Sequence, residues 1–93
     1  MDITEILEKL CKSGGVRGDE NEASEIALSY LKKYDENAFI KNGSVFGKIG
    51  KGGKKVLLDA HIDRIGFIVT SLTDDGFIKV ANCGGIDKRL LPA

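Results

Sequence analysis

At Asp35-Glu36-Asn37 the hydrophobic period of the chain changes, and this switch restricts the fold more than any other feature. Before it, apolar residues recur at the spacing of one helix face. Ile3, Ile6, Leu7 and Leu10 follow i, i+3, i+4, i+7, which predicts an amphipathic helix over residues 3–11. Asp2 is its expected N-cap. Ser13-Gly14-Gly15 should end it, because glycine tolerates the left-handed turn after a helix. A second face, Ala23, Ile26, Ala27, Tyr30, Leu31 and Tyr34, predicts a helix from about Glu20 to Tyr34. Asp19 followed three residues later by Glu22 reads as a capping-box variant.

After the switch, apolar residues alternate or cluster between glycines. Strands are expected at Ala38–Lys41, Ser44–Ile49, Lys54–Ala60, Ile65–Thr70 and Phe77–Ala81. Asn42-Gly43 is the strongest hairpin signal, and Thr73-Asp74-Asp75-Gly76 predicts another tight turn. Gly50-Lys51-Gly52-Gly53 lacks the GxxxxGK[ST] pattern of a phosphate loop and no helix signal follows it, so it reads as a turn. Two helices followed by short strands begin an α/β or α+β fold.

Ninety-three residues suffice for one small domain. Fourteen basic side chains balance fourteen acidic ones, so no global field favours nucleic acid or an anionic membrane. No apolar run approaches the roughly 20 residues needed to span a bilayer. The acidic, amphipathic start MDITEILEKL is unlike a secretory signal. Cys11 and Cys83 lack CxxC spacing and read as reduced thiols. These features predict a cytoplasmic protein without nucleic-acid or membrane partners. The final residues, Arg89-Leu90-Leu91-Pro92-Ala93, follow a Gly-Gly-Ile-Asp turn signal and predict that more chain follows.

The single histidine lies in Asp59-Ala60-His61-Ile62-Asp63-Arg64-Ile65-Gly66, after the apolar run Val56-Leu57-Leu58. If residues 56–63 stay extended, Asp59, His61 and Asp63 project from one side, opposite Val56, Leu58, Ala60 and Ile62. Open α/β sheets place ligands beyond the carboxyl ends of their strands. An imidazole there can offer one nitrogen to a metal while a carboxylate or carbonyl holds the other. His61 and Asp63 are candidates for those roles, and spacing alone leaves open a hydrogen-bonded structural or surface histidine.

The order of several motifs resembles the N-terminal quarter to third of the tetrahedral/glutamyl aminopeptidase family, some members of which were once labelled cellulases or endoglucanases. The likeness runs through Gly15-Val16-Arg17-Gly18, Asn42-Gly43-Ser44-Val45-Phe46-Gly47 and Leu57-Leu58-Asp59-Ala60-His61-Ile62-Asp63. It continues in Ile65-Gly66-Phe67-Ile68-Val69, Gly76-Phe77-Ile78 and Gly84-Gly85-Ile86-Asp87-Lys88-Arg89-Leu90-Leu91-Pro92. The resemblance implies the N-terminal part of a two-metal, phosphorylase/hydrolase-like α/β catalytic domain in residues 1–66. Residues 67–93 would then begin an inserted β-rich domain used for subunit assembly. It implies that His61 ligates one metal of a cocatalytic pair and that Asp63 orients the imidazole. The parent would use two divalent ions, zinc or cobalt, act on peptides and form a homo-oligomer.

Two positions depart from the family pattern. Arg64 stands where a glutamate is usual, which puts substrate-end recognition and local electrostatics in doubt. Arg17 replaces a serine in the early glycine loop. A two-metal peptidase also needs further carboxylates, a second histidine and a glutamate base, which the family carries beyond this region. A catalytic zinc usually has three protein ligands plus water, so the isolated chain is expected to be inactive and to bind metal weakly or not at all. The alternatives are a naturally short, non-catalytic assembly protein and a related hydrolase acting on small molecules or sugars. Nothing in the sequence supports the paired carboxylates of a glycosidase.

Overall fold

A computed structural model describes residues 1–91, so Pro92, with the end of the Leu-Pro motif, and Ala93 lie outside the described residues. The elements are α1 (Ile3–Lys12), α2 (Asn21–Leu31), β1 (Phe39–Lys41), β2 (Ser44–Phe46), β3 (Gly66–Leu72) and β4 (Ile78–Cys83), then a short 3-10 turn over Lys88–Leu90. Helix and strand content is mixed, as in an α/β protein. No helix among the described residues is long and apolar enough to cross a membrane.

Asp2 caps α1, accepting from the amides of Thr4 at 2.9 Å and Glu5 at 3.3 Å. The helix ends without a left-handed glycine. Ser13 turns extended and donates its amide to Lys9 O at 3.1 Å and its hydroxyl to Leu10 O at 2.8 Å. Those two bonds satisfy carbonyls that a helix end leaves free, so the glycine turn is unnecessary.

The start of α2 also departs from expectation. Glu20 occupies the cap position without a capping bond, its Oε1 accepting instead from Gly18 N at 2.7 Å. Glu22 does not reach back to Asp19; its Oε2 accepts from Gly14 N at 2.6 Å, joining α2 to the end of α1. The α-helix stops at Leu31 rather than Tyr34, because the next amides, of Lys33 and Tyr34, bond to carbonyls three residues back and tighten the chain into turns. Asp35 then accepts from Asn37 N at 3.0 Å and Lys48 N at 2.7 Å, tying the end of the first hairpin to the end of α2.

β1 and β2 pair antiparallel with Ile40 opposite Val45. Asn42 and Gly43 both have positive φ, 51° and 77°, the requirement of a type I′ turn. Phe39 and Phe46 face each other with centroids 5.3 Å apart and planes 17° from parallel, within the preferred range for aromatic pairs. The hairpin packs on α2, which in turn contacts α1. The core at this junction is made of small residues: Ala23, Ala38, Ser13 and Ser24 are all 5% exposed or less. Gly47 admits Leu31 so closely that a β-carbon there would sit 2.2 Å from Leu31 Cδ2.

β3 and β4 form a second antiparallel hairpin, starting one residue later on each strand than expected and running two residues further, with an irregularity at Thr70. Thr73 closes its turn: Thr73 N donates to Phe77 O and Phe77 N to Thr73 Oγ1, both at 2.8 Å. Neither strand packs on α1, α2 or the first hairpin. The chain extends 62 Å along its longest axis, with a radius of gyration of 17.6 Å, against about 12 Å for a closed domain of this length.

The strand expected over Lys54–Ala60 is not formed. Val56, Leu57 and Leu58 are 82%, 87% and 91% exposed. A continuous apolar run suits a strand covered on both faces by a larger sheet, and no strand lies beside this one among the described residues. Without ladder partners the backbone gains nothing from strand geometry. The strands form two separate antiparallel hairpins, and the one parallel link among the described residues is a bridge between Val16 and Arg64.

Candidate functional site

The segment Leu57–Asp63 forms one wall of an open groove of about 820 Å³. The opposite wall comes from α2 and the first hairpin, including Ala27, Leu31 and residues 42–46. Sequence reading placed Asp59, His61 and Asp63 here; the groove adds Glu20 from the loop before α2, a neighbour that no sequence spacing could indicate. The lining mixes apolar residues such as Leu31, Val45, Phe46 and Leu57 with three acidic ones, Glu20, Asp59 and Asp63, and one histidine.

His61 Nδ1 lies 3.0 Å from the backbone carbonyl of Asp63 and 3.1 Å from its Oδ1. Both partners are acceptors when the carboxylate is ionised, so Nδ1 must carry the proton and donate to them. In the neutral ring Nε2 then keeps its lone pair, the form in which imidazole ligates a metal. The ring is 85% exposed while the Asp63 side chain is 41% exposed, so the carboxylate is the better anchored of the two. Asp59 makes no hydrogen bond with either residue and stays exposed. Asp59, His61 and Asp63 all line the groove, and of the two aspartates Asp63 alone bonds the ring.

Among the described residues, no group of three or more His, Cys, Asp or Glu side chains could hold an ion. These residues do not close a metal site. Cys83 is half-buried and unpaired, and Cys11 is exposed and unpaired; neither joins the groove.

Arg64 does not face the groove. Its amide donates to Gly15 O at 2.7 Å and its Nη1 to Cys11 O at 2.6 Å, at the end of α1. The side chain passes over Gly15, where a β-carbon would stand 3.5 Å from Nε. Two residues on, Gly66 admits Val16: a β-carbon at Gly66 would lie 2.5 Å from Val16 Cγ2. The early glycine loop thus receives the chain immediately after the His61–Asp63 pair.

Comparison with known proteins agrees with this arrangement of motifs. FrvX of Escherichia coli strain K12, provisionally named an aminopeptidase, is 35% identical over 82 residues, which are 87% of this chain and 23% of FrvX. A protein of Acetivibrio thermocellus, also provisionally named an aminopeptidase, is 35% identical over 89 residues, 94% of this chain and 27% of its own length. The lysyl aminopeptidase of Pyrococcus furiosus is 32% identical over 84 residues, 88% of this chain and 24% of its own. The chain therefore spans about a quarter of the length of the curated relatives it matches. Residues 43–93, which include the second hairpin, the His61–Asp63 pair and the Gly-Gly-Ile-Asp motif, match the M42 glutamyl aminopeptidase family, and the chain belongs to that family.

Proposed function

We infer that this chain is the N-terminal part of an aminopeptidase that removes N-terminal residues from peptides. The observation that carries the reading is the His61–Asp63 pair: an imidazole held through Nδ1 by an aspartate, at the wall of an open groove, inside the matched stretch. In this reading His61 supplies one metal ligand and Asp63 fixes its tautomer and orientation. The parent's cofactor is a pair of divalent ions, zinc or cobalt. This chain contributes one imidazole toward them, so no step of hydrolysis is assigned to its residues, and alone it is inactive.

The projecting β3–β4 hairpin, which packs on none of the other helices or strands, supports a division near residue 66. Residues 1–66 then belong to the catalytic domain and 67–93 open an assembly domain, giving a cytoplasmic homo-oligomer. A second reading, a short assembly protein without catalysis, draws support from the exposed apolar run at residues 56–58. The mass of the native polypeptide separates the two.

The test is a comparison of the purified chain, its longer parent and the parent carrying His61→Ala. Each is loaded with zinc or cobalt and assayed on a peptide panel and on soluble glucans. Peptide release by the parent, with bound metal and activity both lost in the variant, is the expected result. Release by the 93-residue chain, or full metal content in the His61→Ala parent, overturns the reading.

A further inference from the structure

We propose that Arg64 is a positioning residue that clasps the His61–Asp63 segment to the end of α1 and so fixes which imidazole nitrogen faces outward. The inference rests on His61 being a ligand, as argued above. Between Ile49 and Asp63 the only hydrogen bond among the described residues is that between His61 and Asp63 itself. Residues 51–61 are exposed throughout. Arg64 is therefore the first residue after this stretch that bonds to another part of the chain, and it does so twice, through its amide to Gly15 and its guanidinium to Cys11.

The side-chain half of the clasp calls for a cationic donor. Cys11 O belongs to the last turn of α1, where carbonyls lack helical partners and the helix presents its negative end. A cation is favoured there. Gly15 is buried and has no side chain to obstruct the guanidinium. A glutamate at position 64, usual in the resembling family, could not donate to Cys11 O and would place like charge against the helix end. This chain thus anchors its candidate ligand strand by a contact that a carboxylate cannot make.

The anchor reaches His61 through the backbone. Nδ1 is held by the carbonyl and carboxylate of Asp63, the residue directly before Arg64. Fixing Arg64 N and the guanidinium limits the swing of Asp63, and hence the Nδ1–H form of the ring.

The experiment compares the chain with Arg64→Gln, Arg64→Glu and Arg64→Lys, without metal or substrate. Imidazole nitrogen NMR at a pH where the ring is neutral reads the tautomer, and amide exchange reads residues 62–66 against α2 and the first hairpin. The expected result is an Nδ1–H imidazole in the unaltered chain. Arg64→Gln and Arg64→Glu should revert to the mixture of a free imidazole, with exchange at residues 62–66 faster by roughly two- to fivefold. Arg64→Lys should restore the tautomer in part. An unchanged tautomer in the glutamine variant overturns the proposal. So does an Nε2–H ring in the unaltered chain, or exchange that rises equally in α2 and the first hairpin in all three variants. The tautomer is read without metal or peptide, so this outcome and the fate of the peptidase reading are separate results.

Discussion

The exposed apolar run at residues 56–58 should make the 93-residue chain self-associate, and Leu58→Lys should weaken that association while leaving its own fold nearly unchanged. Val56, Leu57 and Leu58 are 82%, 87% and 91% exposed in sequence, which concentrates apolar surface on a segment without ladder partners. Fully covering one such side chain is worth about 1.5–3 kcal/mol. In a two-fold dimer each position counts twice, so Leu58 alone offers about 3–6 kcal/mol gross. Ordering of side chains at the interface and incomplete burial remove roughly half. The remaining change corresponds to about a ten- to hundredfold weaker dimer, at about 1.4 kcal/mol per decade. Within the monomer Leu58 is almost fully solvated, so the substitution should move intrachain stability by less than about 0.5 kcal/mol. Sedimentation across a concentration series measures the first effect, and circular dichroism with amide exchange on α2 the second. A wild-type chain that stays monomeric at every concentration would refute the reasoning, as would a lysine variant that associates as strongly as the parent.

Gly66→Ala should destabilise the junction by about 1–3 kcal/mol, because the added carbon meets Val16 Cγ2 at 2.5 Å and a β-branched neighbour has few rotamers to yield. Adding Val16→Ala should recover most of that loss, and exchange at Arg64 N–H reads both. Asp2→Ala removes two capping bonds and should cost about 0.5–1 kcal/mol of α1 stability, seen as lost helicity. The hydrogen bond from Lys9 and its nearby charge hold the Glu5 carboxyl below its ordinary value. A depressed carboxyl contributes stability above its unfolded value and loses it as pH falls through the lower folded one. The helicity of α1 should therefore be level above the ordinary glutamate range and decline below it, and Glu5→Gln should remove the Glu5 share of that decline.

What could be read without coordinates follows from local physics. Both helices form where a 3.6 period puts them, although Ile3 and Leu7 of the α1 face stay exposed, and Asp2 caps α1 because its side chain bonds amides two and three residues away. Asn42-Gly43 turns because both positions need positive φ. The His61–Asp63 contact is equally local, since two residues separate the partners.

The misplaced features all depended on distant partners. Glu22 bonds Gly14 rather than Asp19 because α1 ends within its reach, and α2 closes early where its last carbonyls take three-residue bonds. Residues 54–60 have the composition of a buried strand, yet a strand is a property of pairs, and no second strand lies beside them among the described residues. The amino-acid order alone determined the two helices, the hairpin turns, the family motifs and the local aspartate-histidine pair, because each arises from groups a few bonds apart. Only the tertiary structure decided that Arg64 turns from the groove to the end of α1, 53 residues earlier in the chain, because no local rule specifies which helix carbonyl will be left free within reach of a guanidinium.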